Sequence, residues 1–287
     1  MNNRPFLSIV IANYNYGNML AATLESVIRQ NCDDYEIIIV DGGSTDNSVD
    51  VIKQYEKYIA WWVSEPDSGQ SNAFNKGFSH ARGKFFTWLN ADDILMPGTI
   101  KAVKRALTTH PHADYATGNV VRFLDSDKTI IEAAWGPHFL PSWLQGKGRT
   151  IVYFGPTTFW SREAYEKVGP IDETLHYAMD IDYWIRLNNI GCRQVRVNHY
   201  CWGFRMHEAS KTAEFGDHEK SDKGKVEMAR EKKYIVEKNN YHPSKFWRIV
   251  GLTMRALDGS MLKALYNKKF LVGNNLIKQF GIDYDIK

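Results

Sequence analysis

The chain has 287 residues, 44% of them apolar and 24% charged, which is an ordinary globular composition with enough material for one large core or for a domain with an extension. A net charge of +3 is too small to argue for a nucleic-acid partner. Three widely separated cysteines (Cys32, Cys192, Cys201) lack metal spacing and suit a reducing compartment. The absence of a signal peptide and of about 18 consecutive apolar residues sets the expectation of a cytoplasmic protein.

In chain order, residues 7–12 form a β-branched run that predicts a buried first strand, followed by the polar and aromatic loop Asn13-Tyr14-Asn15-Tyr16-Gly17. Residues 20–30 have helical spacing, with Leu20, Leu24, Val27 and Ile28 on one face. Residues 35–40 predict a second strand, continuously apolar as buried parallel strands are. A helix over 49–58 and a third strand over 59–64 follow. This alternation predicts a parallel three-layer sheet with right-handed crossovers. A helix from near Gln70, a strand over 85–89 and a helix over 100–109 extend it. Residues 115–123 and 129–133 alternate and predict an antiparallel pair turned at 125–128, so the sheet is expected to be mixed.

Residues 136–153, with Trp143, Lys147 and Arg149, read as a mobile loop over the site. A strand at 155–160 leads into a helix, and a second helix starts near 180, with Asp180 or Asp182 as its N-cap. Two residues apart on a helix, these acids point to different sides, so at most one faces a given ligand. A strand region over 195–205 ends near His207, which suits either a structural role or a metal or pyrophosphate contact. From residue 245 onward apolar and aromatic residues interleave with Lys and Arg, and Asp258 is the single acid between Lys238 and Gln279. That pattern suits an anionic membrane surface, or a helical pair packed on the domain or on a second subunit. The expected division is a domain over 1–212 and a helical, basic amphipathic extension over 213–287.

Carboxylates recur at predicted strand ends, where open α/β sheets bind ligands. Asp41 precedes Gly42 and Gly43 and could accept from a nucleobase N–H or a ribose hydroxyl. Asp67 and Gly69 offer a tight loop on the same edge. Asp92 and Asp93 end the fourth strand, where they either hold a divalent cation, and through it a phosphate, or cap a helix starting at 97–99. Neither a GxxxxGK nor a GxGxxG phosphate loop is present.

Over residues 7–212 the ordered set Val10-Ile11-Ala12-Asn13-Tyr14-Asn15, Ile39-Val40-Asp41-Gly42-Gly43-Ser44-Thr45-Asp46, Asp67-Ser68-Gly69, Ala73-Phe74-Asn75-Lys76-Gly77, Asn90-Ala91-Asp92-Asp93 and Met179-Asp180-Ile181-Asp182-Tyr183-Trp184 resembles the inverting family-2 glycosyltransferases. The resemblance implies the GT-A fold, a Rossmann-like three-layer sandwich with a mixed, mainly parallel sheet, here with a helical C-terminal extension. It implies that Ala12, Asn13 and Tyr14 border the nucleotide base and that Asp41 accepts from the base ring. Asp67, Gly69 and Asn75 would line the nucleotide pocket, with Asp92 nearer the ribose or the metal. Asp93, closed by His207, would coordinate Mn2+ or Mg2+. Many members carry Glu-Asp at the base motif. Here the slot reads Met179-Asp180, leaving Asp180 as the implied general base and Asp182 as the runner-up. The implied reaction is metal-assisted single displacement of a sugar from a nucleotide diphosphate, a UDP-sugar by preference. The acceptor would be a saccharide or polyprenyl-linked saccharide in surface-glycan synthesis. Peripheral attachment to an anionic membrane and homo-oligomerisation are further expectations, and nucleic acid is not an expected partner. A sugar-phosphate nucleotidyltransferase and a non-catalytic saccharide-binding relative are the alternatives. The first would normally carry a Gly- and Arg-rich loop after strand one, which 13–17 lacks.

Overall fold

The computed structural model describes residues 4–138, 145, 157–208, 210, 221–242 and 244–286. The loop expected over the site, including Trp143, Lys147 and Arg149, lies almost wholly outside the described residues.

Continuous apolar runs form the centre of the sheet. β1 (Leu7–Asn13) and β2 (Tyr35–Asp41) are buried along nearly their whole length and pair in parallel, joined through α1 (Gly17–Ile28). α2 (Ser48–Gln54) and a 3-10 turn at Glu56–Tyr58 lead to β3 (Ile59–Ser64), where one longer helix was expected. α3 (Gln70–His80) then carries the chain to β4 (Phe85–Asn90), which pairs on the opposite side of β1 from β2. The resulting order β3-β2-β1-β4 places the topological switch at β1, where a ligand crevice forms in open α/β sheets. Register aligns the carboxyl ends: Asn13 lies opposite Asp41, Asp41 opposite Ser64, and Ala12 opposite Asn90.

Beyond β4 the sheet becomes mixed. β8 (Thr158–Ser161) is antiparallel to β4, and β6 (Tyr115–Leu124), β9 (Gln194–Met206) and β5 (Ile94–Leu95) continue outward, with β7 (Ile130–Ala134) against β6. The expected antiparallel pair is β6 and β7. β5 was not expected. It pairs with β9 and separates Asp93 from α4 (Thr99–Thr109), whose N-cap is Gly98. Asp92 and Asp93 therefore do not cap that helix.

Much of the aromatic content is core. Trp88, Trp160 and Tyr183 are fully buried, with ring centroids 4.7 Å apart for Trp88 and Trp160 and 5.1 Å for Trp160 and Tyr183. These rings fasten β4 and β8 to α6 (Met179–Asn189), which follows α5 (Arg162–Val168). α3 packs on β1 at Gly77, where a Cβ would lie 2.2 Å from Val10 Cγ1.

The segments after residue 212 pack on this body. α7 (Ser221–Lys238) lies against the start of α6, with Glu231 buried between them. α8 (Lys245–Leu257) and α9 (Ser260–Leu271) form a hairpin on β7, and α10 (Leu276–Phe280) begins a tail. Leu276, Ile282, Tyr284 and Ile286 of that tail are buried with Ile94, Met96, Val121 and Phe123 in a second apolar cluster.

Candidate active site

The aligned strand ends set out a row of polar groups at the switch point. Asp41 is fully buried at its centre. Its Oδ1 accepts from Asn13 Nδ2 at 2.6 Å and Ser44 Oγ at 2.5 Å; its Oδ2 accepts from the Ser44 amide at 2.9 Å and Ser64 Oγ at 2.6 Å. Two carboxylate oxygens offer about four acceptor positions, and all are taken. Burial opposes ionisation here, but the bonds from Ser44, Ser64 and Asn13 outweigh it and hold the carboxyl below the usual range. The expected contact between Asp41 and a base therefore has no open lone pair to use. Asp41 instead ties β1, β2 and β3 together beneath the pocket.

The exposed groups lie above it. A Cβ on Gly42 would come within 2.9 Å of Asp67 Oδ2, so the missing side chain makes room for that carboxylate. Asp67 Oδ1 accepts from the Gly69 amide at 2.8 Å, closing the tight loop before α3. Gly69 has φ +119, a backbone that side-chain-bearing residues rarely adopt. Tyr14 is 60% exposed and Ala12 accepts from the Ala91 amide at 3.2 Å, so both belong to this rim. Asn75 does not. Its side chain donates to the Ile171 carbonyl at 2.9 Å and to Glu173 at 2.8 Å, and accepts from the Ile171 amide at 2.8 Å. Sitting one helical turn inside α3, Asn75 clamps the segment leading to α6. Lys76 pairs with Glu65 at 2.6 Å.

At the end of β4 the two adjacent acids divide. Asp93 is 1% exposed. Its Oδ1 accepts from the Arg205 amide at 3.0 Å and its Oδ2 from Asn90 Nδ2 at 2.9 Å. Burial, then the charge of Asp92, pushes its carboxyl well above the ordinary range. Asp92 faces the other way, with Oδ2 3.1 Å from His207 Nε2. The structure thus brings His207 to Asp92, where the resemblance implied Asp93 as its partner. Thr23 fixes the turn: its hydroxyl oxygen lies 2.7 Å from the carbonyls of both Ala91 and Asp93, and its single O–H is shared between them. Tyr16 meets the His207 ring edge-on at 5.6 Å, and burial and the two acids raise its hydroxyl to about 12. Among the described residues no three His, Cys, Asp or Glu side chains cluster to hold a metal. Asp92 and His207 could supply two ligands, and oxygens of a diphosphate the rest, as hard divalent cations commonly bind phosphates.

α6 separates the other two acids. Asp182 is fully buried and committed: Arg186 Nε lies 2.7 Å away, Asn239 Nδ2 donates at 2.8 Å, and Lys238 Nζ stands 3.3 Å off. Asp180, half-buried, accepts from the Ile181 amide at 2.7 Å. Burial lifts its carboxyl to about 6 against the pull of that amide and of Lys232. The helix start is tied to α3: Ser71 Oγ donates to the Leu175 carbonyl at 3.1 Å and lies 3.0 Å from Met179 Sδ. From the neighbouring Gln70, Nε2 reaches Asn90 Oδ1 at 2.6 Å, and Asn90 reaches Asp93. The neighbouring residues Ser71 and Gln70 at the start of α3 therefore connect the start of α6 to the acid pair.

This arrangement coincides with a sequence match, since the profile for glycosyl transferase family 2 covers residues 8–169. The chain belongs to that family. A Nostoc sp. protein described as an uncharacterized glycosyltransferase is 36% identical over 181 residues, 58% of this chain and 54% of the relative. A PGL/p-HBAD biosynthesis glycosyltransferase of Mycobacterium tuberculosis is 30% identical over 186 residues, 63% of this chain and 69% of the relative. The chain thus spans about half the length of the first and about two thirds of the second. Among solved structures, Staphylococcus aureus TarS 1-349 in complex with UDP-GlcNAc superposes with a TM-score of 0.58 at 17% identity, covering 71% of this chain and 60% of TarS 1-349. A Pyrobaculum calidifontis mannosyltransferase in complex with GDP-Man and Mn2+ gives 0.57 at 14%, covering 92% of this chain and 88% of its own. The shared architecture is the GT-A fold.

For a family 2 chain, several supporting residues escaped the sequence reading. Thr23 carried a signal: a polar residue among Leu20, Leu24 and Val27 on the buried face of α1. Tyr16, Arg205 and Glu231 carried none, because their partners lie far away in sequence.

Proposed function

We propose that the chain transfers a hexose, with inversion, from a nucleoside diphosphate sugar to a saccharide or polyprenyl-linked saccharide acceptor. The observation that carries this reading is the pair of acids on α6. Asp182 is consumed by Arg186, Lys238 and Asn239, whereas Asp180 is left as a half-buried carboxyl raised to about 6, suited to take a proton near neutral pH. In the transfer, the acceptor hydroxyl oxygen forms a bond to the anomeric carbon and its proton passes to Asp180. The carbon–oxygen bond to the diphosphate breaks, and the electron pair leaves with the nucleoside diphosphate. A single in-line step inverts the anomeric centre and forms no covalent sugar–enzyme intermediate.

Asp67, over the side-chain-free Gly42, is the open carboxylate at the base end and takes the base N–H in place of the saturated Asp41. Uracil and guanine each carry one ring N–H that a carboxylate oxygen there can accept, so UDP- and GDP-sugars are both candidate donors. Asp92 and His207 would hold Mn2+ or Mg2+, with Asp93 behind them, and the cation would stabilise charge on the departing diphosphate. The test is Asp180→Asn with a panel of UDP- and GDP-sugars. Nucleotide affinity should stay within about twofold while turnover falls about 100-fold or more. Full turnover in that variant removes Asp180 as the base.

A further inference from the structure

The α8–α9 hairpin is built inside out. Along the 13 residues of α8 only Gly251 is buried. Phe246, Ile249, Leu252 and Leu257 recur at helical spacing on one stripe and are 64%, 63%, 46% and 78% exposed. α9 repeats the pattern: it buries Ser260 and Asn267 and exposes Leu262 at 71% and Leu265 at 61%. Soluble helices turn such a stripe toward the core. Here Gly251, Ser260 and Asn267 are the residues buried against the body, with Ala264 and Leu271 packed beside them, while the large apolar stripe faces out. An apolar face of this extent marks an interaction surface.

Charge decides between occupants. Residues 245–271 contain six Lys or Arg (Lys245, Arg248, Arg255, Lys263, Lys268, Lys269) and one acid, Asp258, a local excess of five positive charges in a chain whose net charge is +3. Asp258 is spent locally, accepting from the amides of His138 and Ser260. A second copy would bring the same excess against itself, whereas an anionic bilayer complements it. Each Lys or Arg near an anionic membrane adds to the attraction, and aromatic and leucine side chains sink into the headgroup boundary. No described helix is long and apolar enough to cross. We infer that the α8–α9 hairpin docks flat on an anionic lipid surface, the stripe Phe246–Ile249–Leu252 and Leu262–Leu265 entering the headgroup layer with the lysines at its rim. This does not depend on the proposed sugar chemistry.

The test uses the full chain with vesicles of phosphatidylcholine alone or with about 30% phosphatidylglycerol. Co-sedimentation should be strong with the mixed vesicles, weak with phosphatidylcholine, and reduced as NaCl rises from about 0.1 to 0.5 M. The double variant Ile249→Glu, Leu262→Glu should lose partition at least tenfold while keeping its melting temperature and nucleotide affinity, since both side chains are over 60% exposed. Binding that is absent from both vesicle types overturns the inference. So does equal binding to both types, or a wild-type dimer that the double variant dissolves.

Discussion

Asp180 links catalysis to pH and to stability. As the proposed base Asp180 must be ionised, so kcat should rise with pH along a limb centred near pH 6, the value to which burial lifts its carboxyl. The same burial sets the sign of its stability effect. Well below pH 4 the group is protonated in both folded and unfolded chains and costs nothing. Between pH 4 and 6 the unfolded chain ionises first, so the folded state progressively loses stability relative to it. Asp180→Asn removes that loss. Allowing for partial exposure, the variant should be more stable than wild type by about 1–2 kcal/mol at pH 7.5, about 2–4 °C in Tm, with a much smaller gain at pH 4. Thermal melts at the two pH values check this, and an equal change at both contradicts it. At this scale the sequence was informative about residue types and less so about orientation. Asp41, Asp67, Asp92 and Asp180 were all marked as candidates at strand or helix ends. Which member of Asp92–Asp93 faces outward depends on the pairing of β5 with β9, more than 100 residues away, and no local pattern encodes it. Asn75 matched its motif but points into the 171–173 segment.

At the scale of elements, the start of α6 is held from outside itself. Glu231 of α7 accepts from the amides of His176, Tyr177 and Ala178 at 2.7, 2.9 and 2.8 Å, satisfying donors that precede and open the helix carrying Asp180. An N-terminal helical segment leaves such amides without intrahelical partners, and a carboxylate is favoured there. Glu231→Ala removes the shared acceptor of three amides, the Ala178 one buried, and should cost about 1–3 kcal/mol. Turnover should fall about tenfold or more, because the base is displaced, while nucleotide affinity holds. Glu231→Gln, which can still accept, should restore part of both. Unchanged kcat in the alanine variant would show that α7 does not position the base. The elements themselves were legible wherever apolar runs were long, as in β1, β2 and β4. β5 escaped notice because two residues are too few to show a period, and the α7–α6 contact because helix periodicity shows that a face exists but not what it meets.

For the molecule as a whole, the tail is part of the body that supports the site. Leu276, Ile282, Tyr284 and Ile286 share a cluster with Ile94 and Met96, the residues directly following the acid pair, and Asn275 bridges to Thr129 of the β6–β7 turn. Burial of each large apolar side chain contributes about 1.5–3 kcal/mol. Deleting residues 272–287 should therefore take most of the roughly 5–15 kcal/mol that a domain has and yield insoluble protein or a Tm lower by more than 10 °C. A truncated chain that melts like the full one argues against this. The mixed, mainly parallel sheet was readable from the alternation of strands and helices, whereas its GT-A class came from the resemblance carried by the ordered motifs. The second cluster was not, because it joins the last residues of the chain to strands laid down some 150–190 residues earlier.

The buried contact of Glu231 bears on how such enzymes diversify. Glycosyltransferases of this kind are tempting to recombine, joining one member's donor-binding body to another's tail to redirect the acceptor. In this chain a junction near residue 212 would sever the carboxylate that holds the base helix from the helix it holds, along with the Asn239 and Lys238 contacts to Asp182. A working chimera here would have to carry α6 and α7 across together.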